Sequence, residues 1–341
     1  MSASVISIEE HRIDQVLPPG AGTGERKSAM VELGRALRRH AYSFTTVTPL
    51  TQQRVNARDG AAWAHDLRSI FGWSRPFKSA TPGPEMVYLM HEAGVIHAGL
   101  DDDAPDTLRA AVRASTLDGN LYFHSAYPTS APDAVFFGPD TYRFVRALRT
   151  SLARLKHQVR RAADIGCGAG PGAITLALAY PGAEVSGIDI NPAALVLTEV
   201  NARIAGAANL EALNSNLLKD VDGQFDLIIS NPPYLLDGER RAYRHGGGDL
   251  GAGLSVAIVE EAIERLAPGG TLMLYTGVAI VASADRFRME VEPQLRAAGF
   301  CWSYEEIDPD VFGEELALPA YEFADRIAAV WLVATRPAIP A

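Results

Sequence analysis

The sequence predicts an α/β fold: an open, mostly parallel sheet with helices on both faces, preceded by a smaller, mainly helical N-terminal domain. Two observations support this prediction. From residue 163 onward, apolar runs alternate with segments of helical spacing, which indicates right-handed crossovers onto a parallel sheet. Before residue 130, short helical runs are separated by proline and glycine breaks. A chain of 341 residues is long enough for two cores, and we place the domains at 1–134 and 135–341.

The N-terminal domain opens with a predicted helix over 24–40, where Met30, Leu33 and Leu37 recur at helical spacing. The further elements predicted here are helices over 62–71 and 85–93, an acidic loop at Asp101-Asp102-Asp103, a helix over 107–115, and short strands over 120–123 and 134–137. Helices followed by a small hairpin favour a winged-helix-like module, with the seam between the domains near 126–138.

The C-terminal domain reads as alternating strands and helices. Strands are predicted over 162–165, 184–188, 225–229 and 271–275, with helices over 172–180, 192–206 and 254–266. A final helix over 284–298 and strands over 300–307 and 326–335 would complete a seven-stranded sheet.

Composition narrows the functional class. Residues 1–15 carry acidic side chains without an apolar core, and the apolar stretch over 271–284 is too short to span a bilayer. Cys167 and Cys301 lie far apart and outside any Cys/His cluster. We therefore expect a cytoplasmic protein that neither enters a membrane nor holds a metal.

The net charge of −10 is unevenly distributed. Residues 1–150 hold 16 basic and 16 acidic side chains, so the deficit belongs to the remainder. Within 35–78, eight basic residues face only Asp59 and Asp66. That stretch is either a contact surface for an anionic partner or an ordinary solvated helical face.

A glycine-rich turn follows the first predicted strand of the sheet, at Asp164-Ile165-Gly166-Cys167-Gly168-Ala169-Gly170-Pro171-Gly172. Such a turn lets a nucleotide-like cofactor approach the backbone at a helix N-terminus. Gly168 to Ala173 also fits the dinucleotide pattern G-x-G-x-x-A. Asp164 favours S-adenosylmethionine instead, because a carboxylate suits the ammonium end of an amino acid and is poorly placed beside a pyrophosphate.

Two further positions at strand ends extend this predicted cofactor site. Asp189 closes the second strand about twenty residues after the turn, where an acidic side chain accepts hydrogen bonds from ribose hydroxyls; alternatively it caps the helix that begins at Asn191 and Pro192. Ser215-Asn216 follows the third strand, where Asn216 would read the adenine amine or belong to an ordinary turn.

The predicted catalytic motif is Asn231-Pro232-Pro233-Tyr234, at the end of the fourth strand. The two prolines stiffen the turn and remove two N–H donors. The Asn231 amide oxygen and the Pro232 carbonyl are left as hydrogen-bond acceptors, which suit a planar –NH2 group. Tyr234 would stack on the planar amide or base that carries this nitrogen, and holding the lone pair in line with a methyl group requires no strong base.

These motifs resemble the Asn-Pro-Pro-Tyr amino-group methyltransferases, which include release-factor glutamine, ribosomal RNA guanine and adenine-amine DNA methyltransferases. The resemblance covers residues 135–335 and extends to Phe137-Gly138-Pro139-Asp140-Thr141, Asn201-Ala202 and the stretch Gly247 to Leu254. It implies a Rossmann-like, seven-stranded class I methyltransferase sheet and S-adenosylmethionine as cofactor. The cofactor-binding residues that we expect are Asp164, Gly166, Cys167, Gly168, Gly170, Asp189, Ile190, Asn216, Asn231 and Thr141, and the catalytic residues are Asn231, Pro232, Pro233 and Tyr234.

The chain also departs from that family. It has Tyr275-Thr276-Gly277 where the glutamine enzymes usually have a Glu before the Gly, Asn216 where Asp is frequent, and no sign of their five-helix N-terminal domain. We therefore expect RNA or a ribonucleoprotein as the methyl acceptor in preference to a protein glutamine. Arg240, Arg241, Arg244 and His245 either grip an anionic acceptor or cover a loop. A dinucleotide-dependent oxidoreductase and a non-catalytic nucleic-acid-binding module are the alternatives from other classes.

Overall fold

The computed structural model describes residues 23–98, 106–238, 241 and 243–338. The acidic N-terminal residues up to 15, the Asp101-Asp102-Asp103 loop and Arg240 lie outside this described part.

The described part of the N-terminal unit contains four helices and two small antiparallel ladders. Its elements are α1 (Thr23–Arg39), α2 (Pro49–Asn56), α3 (Leu67–Phe71), α4 (Pro84–Glu92), β1 (Ile96–Ala98), β2 (Leu108–Ala110), β3 (Val112–Leu117) and β4 (Asn120–Ser125). β1 pairs with β2, and β3 with β4. The prediction of a mainly helical unit is confirmed.

Two predictions in this unit are wrong. Residues 107–115 form β2 and the start of β3, because pairing with β1 and β4 overrides the helical spacing of their apolar residues. Residues 134–137 form no strand; they run extended beside β4, where Val135 exchanges hydrogen bonds with Ser125. Strand β4 therefore forms its hairpin with β3, across Asp118-Gly119.

The C-terminal unit is an open sheet between helices, as predicted. Helix α5 (Pro139–Leu152) precedes it. The remaining elements are β5 (Arg161–Ile165), α6 (Pro171–Ala179), β6 (Glu184–Asp189), α7 (Pro192–Ala205), β7 (Leu210–Asn214), β8 (Phe225–Ser230), α8 (Gly253–Arg265), β9 (Leu266–Val281), β10 (Ala284–Asp285), α9 (Arg286–Ala297), β11 (Cys301–Asp308) and β12 (Arg326–Thr335).

Seven strands lie in the order β11-β12-β9-β8-β5-β6-β7, with the two-residue β10 added on β9. The five strands from β9 to β7 run parallel, and β12 is antiparallel to both of its neighbours. The order reverses between β5 and β8, so a crevice opens at the carboxyl ends of these two strands, where doubly wound sheets bind their ligands.

The two units share one hydrophobic core, in which Met30 and Leu33 of α1 belong to the same cluster as Val200 and Ile204 of α7. Helix α1 packs on α7, where Lys27 pairs with Glu199 and Arg38 donates to the Ile204 carbonyl at 2.9 Å. Strand β4 also packs on α7, so the hairpin is not a free wing. In the described residues no helix is long and apolar enough to cross a membrane.

Candidate active site

A cavity of about 200 Å³ opens at the carboxyl edge of the sheet. Its floor is formed by the ends of β5, β6 and β8 and by the turn after β7, and its rim by residues 134–136, 243–244 and 312. The cavity therefore lies at the reversal of strand order, where the sequence motifs meet.

The glycine turn gives the cavity its open floor. Gly166 adopts φ +73°, a left-handed conformation that favours glycine. A Cβ built on Gly166 meets no atom within 4 Å, so a side chain there would project into the empty cavity. The turn leads into the N-terminus of α6 at Pro171. A flat cofactor that lies against bare backbone fits this arrangement.

Asp164 lies beneath the turn at the end of β5 and is almost fully buried. Its Oδ2 accepts a hydrogen bond from the Ala173 N–H at 2.7 Å. Burial raises the pKa of the Asp164 carboxyl to about 8, because the charged form is poorly solvated. A cation that enters the cavity would favour the charged form, so this carboxylate suits the ammonium group of S-adenosylmethionine.

Asp189, at the end of β6, also lines the cavity. One carboxylate oxygen accepts from the Gly168 N–H and the other from the Asn191 N–H, each at 2.9 Å. Burial raises the pKa of this carboxyl as well. The helix cap is Asn191, whose side chain accepts from the Ala193 N–H. Asp189 therefore fixes the glycine turn and still faces the cavity, where its role as the ribose ligand stays a prediction.

The other predicted cofactor residues divide into two groups. Thr141, Cys167, Gly168, Ile190, Asn216 and Asn231 line the cavity together with Gly166, Asp164 and Asp189. Gly170 does not line it: a Cβ built there meets the Thr198 side chain of α7 at 3.1 Å, so Gly170 faces away from the cavity. The spacing of the glycines gave no indication of this difference.

The catalytic motif follows β8, which ends at Ser230. The Ser230 hydroxyl donates to the Ile165 carbonyl at 2.6 Å and so joins β8 to β5 at the cavity floor. Asn231 is half-buried and lines the cavity. Among the described residues, neither its side-chain amide nor the Pro232 carbonyl has a hydrogen-bond partner. Both residues line the cavity, so two hydrogen-bond acceptors without an internal partner lie at its wall.

Tyr234 completes the motif and is held by a buried network that the sequence did not predict. Its hydroxyl donates to Asp140 Oδ2 at 2.7 Å, and the Tyr275 hydroxyl donates to Asp140 Oδ1 at 2.8 Å. Arg143 pairs with the same carboxylate at 2.9 Å. Burial, followed by the charge of Asp140, raises the pKa of Tyr234 well above its ordinary value, so the hydroxyl stays a neutral donor. Its ring packs edge-on against Phe312, at 5.9 Å between centroids.

Two of the arginines after the motif, Arg241 and Arg244, are bound to acidic neighbours. Arg241 Nε donates to Asp237 Oδ2 at 2.9 Å, and this hydrogen bond lowers the pKa of the Asp237 carboxyl to about 2. Arg244 pairs with buried Glu315, and the His245 Nδ1 atom accepts from the Asp237 N–H. These contacts support the loop-covering role that the sequence left open.

A segment between β11 and β12, residues 309–325, forms part of the rim and was missed by sequence reasoning. Phe312 lines the cavity, and the Tyr321 hydroxyl accepts from the Leu236 N–H at 2.8 Å. No motif marks this segment, because its place beside the cavity follows only from the pairing of β12 with β9. Phe136 was also missed, although it adjoins the Phe137-to-Thr141 motif. Among residues whose positions are described, no group of three His, Cys, Asp or Glu could hold a metal ion.

Comparisons with known proteins point to one enzyme class. A family model described as "Methyltransferase small domain" matches residues 145–280. A release factor glutamine methyltransferase of Deinococcus radiodurans is 31% identical over 223 residues, which are 62% of this chain and 76% of that protein. A 4-amino-L-phenylalanine/4-methylamino-L-phenylalanine methyltransferase of Streptomyces pristinaespiralis is 31% identical over 212 residues, 58% of this chain and 69% of that protein. The solved structure of a putative transferase from Pyrococcus horikoshii matches over 68% of this chain and 75% of that chain, with 14% sequence identity and a TM-score of 0.45.

Proposed function

We infer the function from a family: the chain belongs to the S-adenosylmethionine-dependent methyltransferases that carry the small methyltransferase domain and include the release factor glutamine methyltransferases. It transfers a methyl group to a planar amino or amide nitrogen. We propose that this nitrogen is held by Asn231 and the Pro232 carbonyl, and that the acceptor is the side-chain amide of a protein glutamine.

The observation that carries this proposal is the pair of hydrogen-bond acceptors after β8, the Asn231 amide oxygen and the Pro232 carbonyl, which are not bound to any described residue. Both oxygens of Asp189, one oxygen of Asp164 and the Ser230 hydroxyl are, by contrast, bound to neighbours. An –NH2 group offers two N–H donors, which match these two oxygens. Bonding both hydrogens turns the nitrogen lone pair out of conjugation and toward the methyl group.

The residues of the site fit S-adenosylmethionine, and each would hold a different part of it. Asp164 would hold the ammonium group, the turn at Gly166 would pass along its backbone, and Asp189 would hold the ribose. When bound, S-adenosylmethionine supplies a methyl group on a positively charged sulfur that leaves as a neutral thioether. Aligning the acceptor nitrogen with that methyl group is the contribution of Asn231 and Pro232.

Among the described residues, the site contains no side chain suited to act as a strong base, and the reaction needs none. The carboxylate nearest to the motif, Asp140, is bonded to Tyr234, Tyr275 and Arg143 through both of its oxygens. The amide nitrogen becomes acidic once it has gained the methyl group, so water at the cavity mouth can take its proton. Asp140 instead fixes the ring of Tyr234 beside the cavity.

Charge at the rim supports a protein acceptor. Residues 301–325 contain eight acidic and no basic side chains. Five of these acids are exposed and have no ion pair with a described residue: Glu305, Asp310, Glu314, Glu322 and Asp325. A phosphate backbone would meet repulsion on this side of the cavity, whereas a neutral or basic polypeptide would not.

The basic stretch gives less support to RNA than the sequence suggested. Six of its eight cations have partners: Arg35 with Glu32, Arg38 with the Ile204 carbonyl, Arg39 with Glu85, Arg68 with the Phe44 ring, Arg75 with Asn56 and Lys78 with the Trp63 ring. Arg54 and Arg58 are exposed on and just after α2 without such a contact. These two arginines are the observation that keeps an amine in RNA as the second candidate.

A methylation screen tests the proposal. Purified chain and tritiated S-adenosylmethionine are incubated with separated release factor, ribosomal protein, ribosomal RNA and DNA. We expect label that protease releases and ribonuclease does not, and methylglutamine after enzymatic digestion. Label that only ribonuclease releases would contradict the glutamine proposal and favour the second candidate.

A further inference from the structure

Helix α7 packs against the N-terminal unit, and one of its side chains bonds both to that unit and to the cofactor turn. Asn201 is fully buried. Its Oδ1 accepts from the Phe123 N–H at 2.8 Å, and its Nδ2 donates to the Phe123 carbonyl at 2.9 Å. The same Nδ2 donates to the Ala169 carbonyl, in the glycine turn, at 2.8 Å. The amide thus donates once to β4 and once to the glycine turn.

The Asn201 amide binds the main chain of Phe123 in the way that a neighbouring strand would. Phe123 lies on β4, which pairs with β3 along its other edge. The amide bonds to both main-chain groups of Phe123, the N–H and the carbonyl. The hairpin is in turn bound to the rest of its unit, since the Tyr42 hydroxyl donates to the Ala114 carbonyl at 2.7 Å. Movement of the N-terminal unit would therefore move Asn201.

The contact with Ala169 acts on the cofactor turn. Three side chains bond to the main chain of Gly168 and Ala169 in this turn: Asp189 to the Gly168 N–H, Thr198 to the Gly168 carbonyl at 2.9 Å, and Asn201 to the Ala169 carbonyl. Ala169 itself lines the cavity. Within the described part of the chain, Asn201 is the member of this set that also bonds to the N-terminal unit.

We propose that Asn201 is a positioning residue that couples the N-terminal unit to cofactor binding. When the cofactor restrains the main chain of the glycine turn, the Asn201 amide restrains β4 as well. When an acceptor restrains the hairpin, the same amide restrains the glycine turn. Because coupling between two binding sites is reciprocal, each ligand raises the affinity of the other by the same factor. This proposal goes beyond the acceptor chemistry and holds for a protein or an RNA acceptor.

Hydrogen exchange of the full chain, with and without saturating S-adenosylmethionine, tests the coupling without an acceptor. We expect the cofactor to slow amide exchange in residues 166–170 and also in β4. In Asn201→Ala the glycine turn should still respond while β4 no longer does. The dissociation constant of the cofactor should rise about 10-fold, as for one lost hydrogen bond.

The matched control is Asn209→Ala. The Asn209 amide also bridges two carbonyls, those of Tyr180 and Ala183, at 3.0 and 2.9 Å, but these carbonyls lie outside the glycine turn. Here the response of β4 should persist with unchanged cofactor affinity. Two results overturn the proposal. In one, the cofactor does not change the rate of amide exchange in β4 of the unsubstituted chain. In the other, the cofactor slows exchange in β4 of Asn201→Ala as much as it does in the unsubstituted chain. Should Asn201→Ala fail to fold, Asn201→Ser replaces it, and the unsubstituted chain alone still provides the first of these decisive results.

Discussion

Asp164 and Asp189 lie at the ends of adjacent strands, and burial raises the pKa of both carboxyls. In the free protein at neutral pH, Asp164 is therefore mostly protonated. A cation beside it stabilises the charged form and lowers its pKa. Binding of the cofactor ammonium must then release a proton, which makes cofactor affinity depend on pH.

We expect cofactor affinity to rise as the pH is raised from 5.5 to 7.5, by up to about tenfold per pH unit. The sign follows from the free-protein pKa of about 8, because below that pH each binding event must first remove the Asp164 proton. Calorimetric titration across this range measures the slope. Asp164→Asn should bind more weakly and lose most of the slope, and an affinity that is flat in the unsubstituted chain contradicts the role of Asp164.

At the scale of single residues, the sequence predicted the side chains at the strand ends that form the cavity floor. It did not predict the buried contacts around them. Asp164 and Asp189 lie at the ends of apolar strands and Asn231 directly follows one, so a local pattern is enough to find them. The bonds of Asp140 to Tyr234 and Tyr275 join positions 94 and 135 residues apart. No local pattern reports such contacts, although the departure at Tyr275 from the usual Glu indicated a change there.

At the scale of elements, the parallel sheet followed from periodicity because its strands are apolar and its crossovers are long. The β3–β4 hairpin was missed despite a strong local signal. Asp118 and Gly119 both have positive φ, 50° and 77°, as a type I′ turn requires. The Asp-Gly pair between 112–117 and 120–125 would have predicted the hairpin, had the alanines of 107–115 not been read as a helix.

The glycine-rich loop after the catalytic motif is a second feature of this scale. Gly246 and Gly251 pack directly on the main chain of Pro233 and Tyr234. A Cβ built on Gly251 lies 2.3 Å from the Tyr234 carbonyl oxygen, which is closer than real Cβ contacts come. The loop therefore supports the catalytic turn from behind.

We expect Gly251→Ala to lower turnover at least about tenfold, because the turn at Tyr234 must shift to relieve the clash. Gly60→Ala is the control: Gly60 has a similarly positive φ of 77°, but a Cβ there meets nothing within 4 Å. Gly60→Ala should lower the free energy of unfolding by about 1–2 kcal/mol, because alanine disfavours a positive φ, and should leave turnover unchanged. Chemical denaturation and rate assays separate the two effects, and equal turnover in both variants rules out this supporting role.

At the scale of the whole molecule, charge is divided between the two units. The acidic excess lies in the C-terminal half, and six of the eight cations in the basic stretch of the N-terminal unit have internal partners, of which two are acidic. The sequence revealed the count of charges but not their pairing, since Arg39 and Glu85 are 46 residues apart and Arg38 binds a carbonyl 166 residues away. Surface charge that looks available in a sequence can thus be engaged in the fold.

We expect the rate of methylation of a protein acceptor to change less than about twofold when Arg54 and Arg58 are both replaced by alanine, because exposed charges far from a contact contribute little. For an RNA acceptor, the same double variant would reduce the slope of log affinity against log salt by about 0.7 per lost phosphate contact. Titration of the rate with salt, in both proteins, decides between these outcomes.

The central claim is that the Asn231 amide and the Pro232 carbonyl hold a planar nitrogen for methylation. The most direct measurement is mass spectrometry of the acceptor after reaction with S-adenosylmethionine bearing a deuterated methyl group, for the unsubstituted chain and for Asn231→Ala. We expect the label on a nitrogen, a rate at least about 100-fold lower in Asn231→Ala and nearly unchanged cofactor affinity. Label on oxygen, sulfur or carbon, or an Asn231→Ala enzyme that keeps its full rate, would contradict the claim.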